Sequence, residues 1–289
     1  MSPPADIEVT EELLRRLLAK QFPDLADQPL RLVANGWDNA IFRVGDDLVA
    51  RLPRREVAAH LIRHEQDWLG SIAERVSIAI PVPVRKGVPS ETFPWHWSVL
   101  TWLSGKLAAE TTGEEHRTLA GDLARFIREL HVPAPPDAPV NPVRGVPLTT
   151  RSAAIIGRIE TGLIPRPAEV LSAWQTAAAT PAWEGPPLWL HGDLHPANIL
   201  VHDGRLRAVI DFGDMTAGDP ATDLATAWLT FAPQGRADFM AELDYDDDTW
   251  ARARGWAITM STAMLAGSAP ASLIHRIGAD ALEQVLLDD

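Results

Sequence analysis

The chain opens on a helical repeat. Leu13, Leu14, Leu17 and Leu18 share one side, which predicts a helix over residues 8–20. The period then drops to two. The runs "LRLVA", "AIFRVG" and "LVARL" lie within residues 30–53, separated by the turn signals "NG" and "GDD". That is the pattern of an antiparallel meander, which Pro53 brings to an end. A helical repeat returns over 56–73, where Ala58, Leu61, Ile62 and Leu69 share a face. Glu65 falls on that same face, four residues from both Leu61 and Leu69. A carboxylate there is costly unless a cation meets it, and the periodicity equally allows a place at the stripe's edge in water. "IAIPVPVRKG" (78–87) and "WHWSVLTWL" (95–103) read as two further strands, followed by the short linker "SGK". Beyond it Leu119, Leu123, Phe126, Ile127 and Leu130 recur at helical spacing. Residues 132–147 are too rich in proline for a helix and read as an ordered connecting loop; 151–180 and 219–289 read mostly as helix. The expected plan is a β-rich N-terminal lobe over 1–103, a hinge at about 98–105, and a larger helical lobe over 104–289.

One stretch breaks the helical character of the second half. In "LHGDLHPANIL" (190–200) and "VIDFGD" (209–214), polar groups cluster at the ends of strand-like runs. "NILV" and "LRAVIDF" flank the turn "DGR". If those strands pair, Asp193 and Asp211 come near one another, and Asn198 returns to the same spot. Two carboxylates and an amide suit a hard cation such as Mg²⁺, which takes few protein ligands and completes its shell with water and phosphate oxygens. Asn198 and Asp211 would hold the metal, while Asp193 would orient an attacking hydroxyl and accept its proton. Each residue alone is more often structural, since Asp and Asn cap helices and turns. The joint order D-x4-N-x12-D between strands is much harder to obtain that way. His191 reads as a structural hydrogen bonder and His195 as a neighbour of the reacting groups. Asp219 and Asp223 read as braces of this loop or caps of the next helix. Trp95, Trp97 and Trp102 alternate around the hinge and are expected to line a cleft. The acidic run "ELDYDDD" (242–248) reads as a solvated loop or helix start rather than a site for a cation.

Composition narrows the partners. The chain has 289 residues, 46% of them apolar, enough for a sizeable core. It has no cysteine, which excludes disulfides, zinc–thiolate sites and thiol nucleophiles. Lys and Arg total 26 against 39 Asp and Glu, a net charge of −13 that argues against nucleic acid and would help attract a cationic small molecule, although on charge alone acidity that merely keeps the chain in solution is the better reading. No signal peptide and no apolar run long enough to span a bilayer are evident, so a cytoplasmic protein without a membrane partner is expected, as monomer or homodimer.

"HGDLHPANIL" followed by "VIDFGD" closely resembles the catalytic and metal-binding segments of the aminoglycoside phosphotransferase family, relatives of the protein kinases, which carry H-R-D and D-F-G there. "NGWDNAIFRVGDDLVARLPR" is similar to the family's nucleotide-loop strands, and "GDPATDLATAW" to the segment after its metal site. The resemblance implies an α+β, protein-kinase-like two-lobed fold, with an antiparallel-sheet N-lobe and a mainly helical C-lobe. It implies transfer of the γ-phosphoryl group of ATP or GTP to a hydroxyl of an aminoglycoside-type antibiotic, with Mg²⁺, Asp193 as base, and Asn198 and Asp211 as ligands. Macrolides, tuberactinomycins, hygromycin, choline or homoserine are alternative acceptors. Glu65 would pair with the phosphate-binding cation of the third strand. Family members commonly have lysine there; here the residue in register is Arg51, whose planar fork can still bridge phosphate and Glu65. "NGWDNAIF" has a single glycine, so phosphate cover would fall to its backbone amides and Asn39. "VLTWLSG", with Leu100 and Trp102, would offer backbone groups to the nucleobase. The sparse glycine loop and Arg51 keep a catalytically silent nucleotide-binding protein as an alternative of another class.

Overall fold

The computed structural model describes residues 4–111 and 113–288. It divides into two compact units, Ser2–Arg75 with Ala79–Ser104, and Gly105–Asp289 with Val76–Ile78.

The first unit begins with α1 (Glu11–Gln21). The hydroxyl of Thr10 accepts from the Leu13 amide at 3.2 Å, and Glu11 and Glu12 complement the positive end of the helix. Then come β1 (Leu30–Asn35), β2 (Asn39–Val44), β3 (Leu48–Pro53), α2 (Glu56–Ala73), β4 (Pro83–Gly87) and β5 (Trp97–Thr101). The strands form one antiparallel sheet in the order β1-β2-β3-β5-β4. Alternation sorts its faces. Phe42, Val44, Ala50, Leu52, Trp97 and Val99 pack with the four leucines of α1. The residues between them, including Arg51 and Ser98, lie on the other face. Ser98 Oγ accepts from Gln66 Nε2 of α2 at 3.1 Å.

Two expectations are corrected here. The strand foreseen over 78–87 starts only at Pro83, because Pro81 removes a ladder donor from the middle of that stretch. Trp97 does not line a cleft. It is wholly buried in the core, its ring 5.3 Å from that of Phe22, and a Cβ on Gly87 would lie 2.2 Å from its indole.

The second unit is mainly helical. It runs through β6 (Lys106–Leu107), α3 (Gly113–Leu130), α4 (Ser152–Glu160), α5 (Pro167–Ala178), β7 (Leu188–Leu190), β8 (Ile199–His202), β9 (Arg205–Val209) and β10 (Thr216–Gly218). The helices α6 (Ala221–Leu224), α7 (Thr226–Thr230), α8 (Pro233–Ala241), α9 (Asp247–Gly267) and α10 (Leu273–Leu286) follow. Strands β6, β8 and β9 form one small antiparallel sheet, and β7 pairs with β10 rather than with β8. Residues 132–147 carry no regular element. Asp246, in the acidic run, caps α9 by accepting from the Thr249 amide at 2.7 Å. Helix α9 is buried on nearly every side and packs on α4, α5, α6, α7 and α10. Gly255 permits part of this: a Cβ there would meet Leu148 Cδ2 at 2.4 Å. No helix among the described residues is long and apolar enough to cross a membrane.

Candidate active site

The loop after β7 is built from backbone outward. The carboxylate of Asp223 accepts from the amides of His191 (2.7 Å) and Gly192 (2.8 Å), so it braces the chain as it leaves the strand. Gly192 has φ +85, and a Cβ would lie 2.1 Å from the Asp214 carbonyl oxygen; only glycine fits. The ring of His191 accepts at Nδ1 from the Asp193 amide (3.1 Å), which assigns its proton to Nε2, 2.9 Å from the carbonyl of Ile210. His191 is therefore a strut between the loop and the end of β9.

Asp193 stands in the middle of this loop. Its Oδ1 meets Arg144 Nη2 at 3.2 Å and its Oδ2 meets His195 Nε2 at 3.3 Å. His195 Nδ1 accepts from the Ala197 amide at 3.2 Å, so its proton points at Asp193. Burial pushes the Asp193 carboxyl up, but the hydrogen-bonding ring of His195 and the guanidinium of Arg144 outweigh it and hold the group well below the usual carboxylate range. Asn198 Nδ2 donates to the Asp193 carbonyl at 2.9 Å, which leaves the amide oxygen as its donor toward a cation. Strands β8 and β9 then bring Asp211 alongside. Ile199 pairs with Val209, and the Ile210 amide donates to the Asn198 carbonyl at 2.9 Å. Asp211 follows with a left-handed backbone, φ 63 and ψ 66. An amide oxygen and a neighbouring carboxylate are a donor set that suits Mg²⁺.

Asp214 lies close by. Its Oδ1 accepts from Asn141 Nδ2 at 2.9 Å and its Oδ2 meets Arg144 Nη2 at 3.2 Å. Burial, with the charges of Asp193 and Asp211, raises its pKa against the pull of Arg144. Asp219 binds Arg252 of α9 at 2.8 Å in a fully enclosed pair and accepts from the Ala221 amide at 3.0 Å.

Arg144 was not a candidate from sequence. It sits in the proline-rich loop, donates from Nε to the Gly192 carbonyl at 2.6 Å, and bridges Asp193 and Asp214. Burial works against its charge, and Asp214 and Asp193 more than restore it. The loop is held by neighbours remote in sequence: the Gly145 amide donates to Thr222 Oγ1 at 3.0 Å, and the Asp219 amide to the Gly145 carbonyl at 3.0 Å. No periodicity could have revealed it, because a loop residue's position depends on such contacts.

The other candidates belong to the first unit. Arg51 Nη1 lies 3.0 Å from Glu65 Oε1, with side chains only 9% and 1% exposed. Glu65 is thus buried opposite a cation, not at the stripe's edge in water. With its amide oxygen facing the guanidinium, Asn39 accepts from Arg51 Nε at 3.1 Å and Nη2 at 3.0 Å. Leu100 is buried in β5 between Val49 and Pro83. The Trp102 amide donates to the Asp47 carbonyl at 2.8 Å, and the Arg43 guanidinium lies 4.3 Å over its ring.

An antiparallel sheet backed by α2, joined in sequence to a helical unit that carries the Asp193 loop, defines a kinase-like fold. The model of the phosphotransferase enzyme family matches residues 29–256. The chain belongs to that family, and is a phosphotransferase. Among solved structures, it is similar to the GDP complex of wild-type aminoglycoside 2'-phosphotransferase-IIIa (20% identity, 97% of this chain and 100% of that one covered, TM-score 0.73). It is similar also to APH(2'')-IIa in a ternary complex with streptomycin and ATP (19% identity, 88% and 90% covered, TM-score 0.62). A third is the macrolide 2'-phosphotransferase MphH from Brachybacterium faecium (22% identity, 93% and 98% covered, TM-score 0.63). These likenesses establish the fold. No curated protein is similar enough in sequence to count as a match.

Proposed function

We propose that the chain is a small-molecule kinase that moves the γ-phosphoryl group of ATP or GTP to a hydroxyl of its acceptor. The observation that carries this reading is the Asp193 carboxylate, held ionised between Arg144 and His195 on a loop tied down by Asp223. Such a group can orient an attacking hydroxyl and take its proton. Asn198 and Asp211 would hold Mg²⁺, which when bound neutralises charge on the triphosphate. Arg51, fixed by Glu65 and Asn39, would bind phosphate with the remaining edge of its fork. Backbone groups around Leu100 and Trp102 would meet the nucleobase. Neighbours solved with GDP and with ATP favour a nucleoside triphosphate as donor. Their names favour an antibiotic acceptor, aminoglycosides first and macrolides second. A net charge of −13 accords with a cationic acceptor.

The test is phosphate transfer followed by mass, with ATP and with GTP, over a panel of aminoglycosides, macrolides and metabolic alcohols. The wild-type chain should transfer phosphate to at least one acceptor, and Asp193→Asn should lose about 10²–10⁴-fold in rate. Background rates in both proteins would favour a silent nucleotide-binding protein instead.

A further inference from the structure

The carboxylate of Asp223, which braces the Asp193 loop, is held in its turn. Besides the amides of His191 and Gly192, it meets the ring of His131, the residue that follows α3. His131 Nε2 lies 3.2 Å from Asp223 Oδ2, between side chains only 1% and 0% exposed. Nδ1 of the same ring lies 2.8 Å from the hydroxyl of Tyr245, in the acidic run just ahead of α9. The phenol ring stands edge-on to the imidazole, with centroids 6.1 Å apart, and edge-on to Trp250 of α9 at 6.3 Å. Neither His131 nor Tyr245 has a part in the chemistry described so far.

The protons along this chain of contacts can be assigned. A carboxylate only accepts, so Asp223 asks for a donor at His131 Nε2. The neutral ring carries one proton, and with it on Nε2 the buried Nδ1 is a lone pair that needs a donor of its own. Tyr245 supplies it. Burial first, then the charges of Asp223 and Asp219, push the phenol pKa up, so the hydroxyl keeps its hydrogen. The order is therefore Tyr245 hydroxyl to His131 Nδ1, His131 Nε2 to Asp223, and the two loop amides to the same carboxylate. Without the hydroxyl the other tautomer becomes available. It donates nothing to Asp223 and turns a nitrogen lone pair toward a buried carboxylate.

We propose that Tyr245 is a positioning residue for phosphate transfer: its hydroxyl selects the His131 tautomer that donates to Asp223, and so fixes the loop that presents Asp193. Its bearing on the reaction rests on the kinase reading above; the order of protons does not. The acidic run then has a second task besides the cap at Asp246, because it ties the start of α9 to the Asp193 loop.

Two measurements on the whole chain test it. The first joins long-range ¹⁵N–¹H spectra of the histidine rings, with His131 assigned by its loss in His131→Gln, to hydrogen exchange of the His191 and Gly192 amides. The wild-type ring should be protonated at Nε2 alone. Tyr245→Phe keeps the ring that packs on Trp250 and loses only the hydroxyl. It should populate the Nδ1-protonated form and exchange the two amides about five-fold faster. His131→Gln puts an amide without tautomers in place of the imidazole. In that background Tyr245→Phe should change exchange less than about two-fold, and an equal effect in both backgrounds overturns the proposal. The second measurement is steady-state phosphate transfer. Tyr245→Phe should lower kcat about five-fold or more with the KM of nucleotide and acceptor unchanged, and should be nearly silent beside His131→Gln. A wild-type ring protonated at Nδ1 or at both nitrogens overturns the proposal. So does Tyr245→Phe with the wild-type tautomer and exchange, or with unaltered kcat in a chain that transfers phosphate. The expected spectra and exchange in a chain that phosphorylates no acceptor would remove the kinase reading and leave the order of protons standing.

Discussion

The pair between Arg51 and Glu65 allows stability and nucleotide binding to be separated. The charges are 3.0 Å apart on side chains 9% and 1% exposed. At an effective dielectric of about 20 their attraction is ~5–6 kcal/mol, offset by a desolvation penalty of several kcal/mol for each ion. Removing one partner leaves the other buried and alone. Glu65→Leu and Arg51→Met should each therefore destabilise the first unit by about 3–5 kcal/mol. Replacing both by apolar residues of similar size removes the buried charge altogether. The double variant should lie within about 1 kcal/mol of wild type, or above it. The cycle should thus show a coupling of at least about 5 kcal/mol, far beyond the additivity expected of independent sites. Urea-dependent hydrogen exchange, read on peptides from β3 and α2, measures this locally. Nucleotide affinity, measured on the same proteins, should be lost in the double variant despite its recovered stability. A double variant as unstable as the sum of the single ones would refute the buried-pair account. One that binds nucleotide as wild type does would refute the phosphate-binding role of Arg51.

Gly192→Ala should cost more than the ~1 kcal/mol of a left-handed alanine, because its Cβ meets the Asp214 carbonyl oxygen at 2.1 Å; near-complete loss of phosphate transfer in a folded protein, checked by circular dichroism, is the expected result. Arg144→Gln leaves Asp193 and Asp214 facing one another with the bridging cation gone, and should lower kcat by at least about ten-fold; unaltered single-turnover rates would count against a part for the bridge. Asp122 of α3 accepts from Arg205 at 2.6 and 2.7 Å, and that hydrogen bond, with the Leu206 amide, lowers its pKa against burial. Its contribution is therefore full above the unfolded carboxylate value of about 3.9 and is lost as pH falls through the lower folded value, so acid unfolding of wild type and Asp122→Asn should converge below that point. Arg205→Ala should destabilise more than Asp122→Asn at neutral pH, since it strands a carboxylate 6% exposed whereas Arg205, 60% exposed, can turn to water.

Much of the architecture was legible because burial imposes a period. The four leucines of α1, the alternation of β2 and β3, and the apolar face of α2 each follow from one face meeting a core. Glu65 stood out for the same reason, as a charge on a face that had to be buried. Pro81 defeated that logic, since it has no amide proton to give a ladder in the middle of the run, whereas Pro83 is tolerated as the first residue of β4. Trp97 defeated it differently: alternation tells two faces apart but not which one is enclosed. Around Asp193, spacing in the sequence anticipated that Asn198 touches the same loop, because a tight turn and one strand pair separate them from Asp211. Arg144 left no such mark. Its meaning comes from contacts more than 40 residues away, as with Gly192 and Asp214, and no local repeat records these.

The clamp that Asp223 places on the amides of His191 and Gly192 is made wholly from the chain's own side chain and backbone. The segment that presents Asp193 is therefore held from within the chain, and a ligand is expected to add little order there. Deuterium uptake at these two amides should be slow in the empty protein and almost unaltered on saturation, whatever else tightens around the ligand.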